Sequence, residues 1–369
     1  MSKAYAEAGV DYSQIGPFKA AMKRVGVETA HLPKSRWGVD VVAKAHGVEF
    51  CYSGAQRHRF TQTKEGLGNK NWIAEWMYLF AGDGRPRYRG IAIDTACMAT
   101  NDLIASGGMP FMWLDEVAAD TSAWFADERR ASDFARGCID ICDMLGMTIP
   151  AGESPALRYL VKAEPPVPSA PVLSGVATGI LVDPFRSIKG TTRPGDRIIG
   201  FASSGVHANG ISLIIKEAMT LPDKFRTKLP NGRTFGDEVL TPTRSYAALV
   251  EALARKRVYV NKFLPGTGSG IAKLATSKDR YTYRIHTWPD VPVIFQYLLE
   301  LGIPHIDCLT TFNWGVGYYA FVDKAMVEPV LEIAHEAKYS AWELGIIEDG
   351  PRQVIFEPAG NLILPPPAE

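Results

Sequence analysis

The chain has no surplus of charge. Its 369 residues carry 40 lysines and arginines against 40 aspartates and glutamates, a formal net charge of zero. A balance of that kind argues against nucleic acid or an anionic membrane as the main partner, since both select a strong basic bias. Cysteine is also scarce: five residues, at 51, 97, 138, 142 and 308. They are odd in number and widely spread, which argues against a disulfide framework. Cys138 and Cys142 are four apart on an expected helix, with no histidine or cysteine at ligand spacing, so they read as buried helix residues rather than a metal site. No apolar run approaches the roughly 18 residues of a membrane-spanning helix. The start "MSKAYAEAGVDYSQ" lacks a signal-peptide core. The chain reads as a cytoplasmic protein.

What is present is ordinary globular material, 46% hydrophobic and 22% charged, in a length that suits two domains. "RGIAID" (89–94) reads as a short buried strand, "TACMATNDLIASGG" as the helix after it, and "MPFMWLDEVAAD" as a second strand. Residues 124–145 have helical periodicity, and "MTIPAGES" reads as a strand entering a loop. The proline-dense "AEPPVPSAP" excludes regular structure. "VLSGVATGILVD" and "RIIGFA" read as strands, with the domain junction between Asp183 and Pro194. Helices are expected near 209–220, 243–256, 290–301 and 324–337, and a further strand near 316–322. Strands and helices intermix without a βαβ rhythm, which favours two α+β domains over a doubly wound sheet.

Five stretches could carry chemistry. "KEGLGNKN" (64–71) offers an acid, glycines and lysines suited to a phosphate, although it is not a P-loop and an ordinary turn competes with that reading. In "IDTACMATND", Asp94 would end the strand and cap the helix, with Asn101 on nearly the same face and Asp102 beside it. Such oxygen ligands could hold a hard cation; a cap plus two solvated polar residues is the alternative. "IPAGESP" places Glu153 after a strand. "PGTGSG" (265–270) fits no dinucleotide fingerprint. In "TTFNWGVGYY", Asn313 and two glycines interrupt an apolar run, as a bulge or a close ligand would require. "SSGVHANGISL" poses the sharpest question, because it sets His207 at the tip of a turn of small residues.

Together these stretches resemble the phosphoribosylformylglycinamidine cyclo-ligase, or aminoimidazole ribonucleotide (AIR) synthetase, family. "YAEAGVDY" is similar to its Y-x-x-A-G-V-D, and "KEGLGNK" to its D-G-V-G-T-K. "GIAIDTACMATNDLIASGGMPFMWLDEVA" resembles G-I-D-x-V-A-M-x-x-N-D-L-x-x-x-G-A-x-P-L-F-F-L-D-Y. "AGES" corresponds to G-G-E-T, "SSGVHANGISLI" to S-S-G-x-H-S-N-G-Y-S-L, "LTPTRSY" to L-x-P-T-R-I-Y, and "TTFNWGVGYY" to R-T-F-N-x-G-V-G-M.

The resemblance implies an α+β fold of two α/β domains, 1–185 for dimerisation and ATP binding and 186–369 completing the active site. Two N-terminal domains would pair into a dimeric β-barrel-like core. It implies an ATP- and magnesium-dependent ligase that closes the imidazole ring of formylglycinamidine ribonucleotide in purine biosynthesis. His207 and Asp94 would be catalytic. Glu65, Gly66, Gly68, Lys70, Asn101, Asn209 and Asn313 would bind the nucleotide, and Asp94, Asp102 and Glu153 the metal. Departures stand beside these matches. Glu65 replaces the family aspartate, "AGESPALRYLV" loses A-E-M-P-G after the glutamate, and "FLPGTGSG" lacks the histidine of H-x-T-G-G-G. A superfamily member acting on another amide or carboxylate, or a non-catalytic nucleotide-binding dimer, is the alternative.

Overall fold

The computed structural model describes residues 11–44, 47–182, 188 and 190–367. The boundary expected between 185 and 186, and most of "YAEAGVDY", lie outside the described residues. The chain forms two compact units. One comprises residues up to Leu103 together with Met109–Ile180, the other Ile104–Gly108 together with residues from Leu181 onward.

The first unit opens with helix α1 (Tyr12–Thr29), whose N-cap Asp11 accepts from the Ser13 N–H, and the short helix α2 (Leu32–Trp37). Strands β1 (Val39–Lys44) and β2 (Gly47–Tyr52) pair antiparallel. Next come β3 (His58–Gly66), α3 (Lys70–Phe80), α4 (Tyr88–Ala105), β4 (Met109–Ala118), a 3-10 turn at Ser122–Ala126, α5 (Glu128–Leu145), β5 (Gly152–Glu153) and β6 (Val172–Val182). Four strands make a sheet in the order β3-β6-β4-β5.

"MPFMWLDEVAAD" is thus a strand, as its pattern predicts, and it lies inside the sheet. Phe111, Met112, Trp113 and Val117 are all nearly inaccessible. The chain itself buries this apolar surplus, so the surplus gives no reason for a second copy. On α5, Ala131, Phe134, Cys138, Ile141, Cys142 and Leu145 are buried at helical spacing, and Gly146 ends the helix with a φ of 67°. Both cysteines are core residues.

One expectation fails. "RGIAID" is not a strand: it forms the first turns of α4, which runs on through "TACMATNDLIA". Asp94 therefore sits within a helix instead of capping one.

In the second unit, β7 (Arg197–Ala202) leads through a turn into α6 (Ile211–Thr220), followed by α7 (Phe235–Val239), α8 (Ala247–Arg255), β8 (Lys262–Pro265), β9 (Tyr281–Ile285), α9 (Val293–Glu300) and α10 (His305–Thr311). Strand β10 (Val316–Val322), α11 (Val327–Glu336), β11 (Ala341–Asp349), β12 (Gln353–Phe356) and β13 (Leu362–Leu364) complete it. The sheet order is β13-β12-β9-β11-β7-β10-β8. Its pairings are antiparallel except β12 with β9. Every residue of β10 is buried, which is why its sequence reads as a continuous apolar run.

Candidate active site

The stretch 64–71 joins β3 to α3. Leu67 is 1% exposed, and its N–H donates to the Leu173 carbonyl at 2.9 Å. That anchor leaves Glu65, Gly66, Gly68 and Asn69 exposed at the head of the helix. Gly68 has a φ of 76°, a backbone region that favours glycine, and no atom lies within 4 Å of where a side chain would start. An open glycine turn thus feeds the N-terminus of an eleven-residue helix, the end of a helix that favours an anion.

Lys70 does not serve that loop. Its side chain turns inward and is fully buried, with Nζ 2.9 Å from Oδ1 and 2.8 Å from Oδ2 of Asp94. Burial pushes the Lys70 ammonium below its ordinary value, and the facing Asp94 carboxylate opposes that shift. The pair ties the start of α3 to the middle of α4.

The expected metal ligands are not gathered. Asn101 is buried two turns along α4 from Asp94, a rise of about 10 Å, with the half-buried Asp102 one residue further. The Asp94 carboxylate is meanwhile engaged by the Lys70 ammonium through both oxygens. Glu153 is exposed on β5, where Oε1 accepts from the Ser154 N–H at 2.9 Å. No group of three such side chains suited to a metal occurs among the described residues. This donor set does not fit a preformed magnesium site.

In the second unit the turn between β7 and α6 is built around His207. The imidazole is not alone at a tip. It is 1% exposed, lies beneath the turn at a φ of 57°, and accepts at Nε2 from the Ser204 N–H at 3.3 Å. Gly317 on β10 makes this possible: a Cβ there would run into the His207 ring and the Tyr246 hydroxyl. Tyr246 in turn donates to the Ala202 carbonyl at 2.9 Å. Asn313 spans the turn from the other side, donating to Gly205 O at 2.8 Å and accepting from the Gly315 N–H at 2.9 Å. Both ends of its amide are thus engaged by backbone. Among the described residues, buried polar atoms here without a hydrogen-bond partner include Ser203 Oγ and Asn209 Nδ2. Such groups point to a ligand, because buried polar atoms are normally satisfied.

A residue passed over in the sequence is Asp115. On β4 it falls in phase with Phe111, Trp113 and Val117, the inward face, and is 7% exposed. Burial pushes its carboxyl up to about 7, and the neighbouring Glu153 adds to the shift. The alternation of "FMWLDEV" is the signal that marks it.

Comparison with known proteins follows this division. The AIR synthase related protein N-terminal domain matches residues 62–181, and the AIR synthase related protein C-terminal domain residues 193–357. Both halves thus define a two-domain protein of the AIR synthase related class. A phosphoribosylformylglycinamidine cyclo-ligase of Carboxydothermus hydrogenoformans is 30% identical over 327 residues, covering 86% of this chain and 90% of that one. The enzyme of that name from Methanococcus vannielii is 29% identical over 352 residues, 94% and 92% of the two chains. The chain belongs to the phosphoribosylformylglycinamidine cyclo-ligase family. Among solved structures, hydrogenase maturation protein HypE in complex with ATP aligns with a TM-score of 0.60 at 14% identity over 88% of each chain. Thiamine-monophosphate kinase from Stenotrophomonas maltophilia gives 0.58 at 14% identity over 88% of this chain and 93% of that one. At that identity the likeness is one of fold.

Proposed function

We propose that the protein is an ATP-dependent cyclo-ligase that converts formylglycinamidine ribonucleotide to aminoimidazole ribonucleotide in the cytoplasm. The observation that carries this reading is the match to cyclo-ligases along nearly the whole of both chains. ATP transfers its γ-phosphoryl group to the formyl amide oxygen, and ADP leaves. The amidine-side nitrogen then attacks the activated carbon, and the oxygen departs with phosphate as the imidazole ring closes.

The exposed loop 65–69 is suited to the triphosphate, through backbone N–H groups and not through Lys70. Ser203 Oγ and Asn209 Nδ2 offer unspent hydrogen bonds to a polar substrate. His207 and Asn313 are positioning residues that hold this turn in shape. Asp94 plays the same part for α3 and α4. Any magnesium would arrive on the phosphates of ATP, and no step is routed through it.

The protein acts as a homodimer in which the N-terminal units of two copies pair into a barrel-like core. Strand β3 is an edge of its sheet, and Phe60 on it, Phe50 on β2 and Val42 on β1 are 37–49% exposed. This supports pairing through that edge. Sedimentation at micromolar concentration should give the dimer mass.

The test of function is AIR formation by the purified protein from formylglycinamidine ribonucleotide and ATP, with one ADP and one phosphate per AIR, and rescue of a purine auxotroph. ATP hydrolysis without AIR would transfer the reading to another amide or carboxylate substrate.

A further inference from the structure

A cavity of about 670 Å³ lies within the first unit, between α1, β1, β4 and residues 148–154. Its lining includes none of Glu65, Lys70, Asp94, Asn101 or Asp102. Val27, Val41, Ala43, Ile149 and Pro150 make most of its surface apolar. Thr148, also on the wall, already shares a hydrogen bond with Thr29 at 2.8 Å.

Asp115 is the exception. It is 7% exposed, and its Oδ1 is buried with no hydrogen-bond partner among the described residues. That oxygen lies over the α-carbon of Gly152, itself a lining residue, so that any side chain at 152 would collide with it. The acceptor thus sits over Gly152 of the paired strand β5, and both residues line the cavity. A buried acceptor without a donor destabilises a fold, and its survival here calls for something that supplies the donor. The charged groups nearby are Lys19 and Lys23 on α1, both exposed on the cavity's border, and Glu153 on β5.

We propose that this cavity is a binding site for a neutral, largely apolar small molecule that presents an N–H donor, such as an amide, lactam or azole, to Asp115 Oδ1. The volume lies in the range of small-molecule sites, which are mostly apolar with a few polar groups that fix orientation. Neutrality follows from the surroundings. The two lysines oppose the entry of a cation, and the apolar wall penalises any charge left unpaired. The site is additional to the ring-closing chemistry and does not depend on it.

Benzamide, N,N-dimethylbenzamide and benzamidine share one body and differ in donor and charge, so they separate these requirements. Their binding to the full chain is measured by ligand-observed NMR titration. Benzamide should bind about three- to tenfold more tightly than the dimethyl amide, the worth of one net hydrogen bond, and more tightly than cationic benzamidine. Asp115→Leu should erase the gap between the two amides. Ala43→Trp, at an exposed position on the cavity's border, should block both amides while leaving the circular dichroism of the protein unchanged. Three results would overturn the proposal: equal affinity of the two amides for the native protein, tighter binding of benzamidine, or no benzamide binding at 50 mM ligand, roughly the weakest affinity worth calling a site.

Discussion

Asp94 and Asp115 are both carboxylates sunk in the first unit, and they meet opposite surroundings. Asp94 faces a lysine ammonium that is buried as completely as itself. Asp115 has only an acid, Glu153, for a charged neighbour strong enough to shift it, and keeps one oxygen unanswered. Both stand in the stretch that matches the family pattern, and Asp94 is tied to Lys70 between two helices. The one on the inward face of β4 carries an unused capacity to bind. A motif marks where a residue is required; its surroundings decide whether it is required for architecture or for chemistry.

The sharpest way to break the comparison is to remove the cation from Asp94. Lys70→Met should cost about 3–5 kcal/mol in guanidinium unfolding, because a buried charge is left without its partner. Replacing both members, Lys70→Met with Asp94→Leu, should recover most of that loss. A single variant that loses under 1 kcal/mol, about the worth of an exposed pair, would show that the pair does not hold α3 to α4.

Asp115 should respond in the opposite direction. Unfolded, its carboxyl ionises near 3.8; folded, near 7. Between those values the folded protein keeps a proton that the unfolded chain has released. The contribution of Asp115 to stability is therefore fullest below pH 3.8, falls as pH rises toward 7, and is flat above. Asp115→Asn removes that slope and should stabilise the protein at pH 8 by roughly 1–3 kcal/mol. Urea midpoints from pH 4.5 to 8 for the two proteins should diverge steadily; parallel curves would show that Asp115 takes up no proton on folding.

Gly152→Ala is a smaller change of the same kind. The added methyl would meet Asp115 Oδ1, so a loss of about 1–2 kcal/mol is expected. Combining it with Asp115→Ala should remove most of that loss, a coupling that a double-mutant cycle reads directly. Additive losses would mean that Asp115 does not lie over Gly152.

The sequence made some of this legible. Strand β10 and helix α5 follow from a buried run and from helical periodicity. The turn at 203–210 follows from its small residues. The misreading at 89–94 has a physical cause: α4 is buried on nearly all sides in this stretch, with Ile91, Ala92, Ala96 and Cys97 all inaccessible. A helix without a wet face shows no 3.6-residue period and reads as a strand. Asp94 then appeared as a strand-end ligand when it is a mid-helix partner of Lys70. Long-range pairings such as Lys70 with Asp94, or Gly317 under His207, leave no mark on local pattern. Asp115 is within reach of the sequence, because the phase of its strand puts it inward.

His207 carries the comparison into the second unit, where a buried titratable ring is answered by a neutral N–H. Its Nε2 accepts from the Ser204 N–H, so that nitrogen is engaged by backbone. Its effect on the protein should therefore be mechanical. His207→Asn shortens the side chain and breaks that contact, at a cost of about 1 kcal/mol, one net hydrogen bond. A turnover rate within about tenfold of native per folded molecule is expected, with an unchanged pH–rate profile. A proton-transfer role predicts instead a fall of roughly 10²–10⁴-fold and the loss of one limb of the profile. Single-turnover AIR formation at equal folded concentration, followed from pH 6 to 9, separates the two. A lost limb would make His207 a catalytic group whose contact with Ser204 opens when substrate binds.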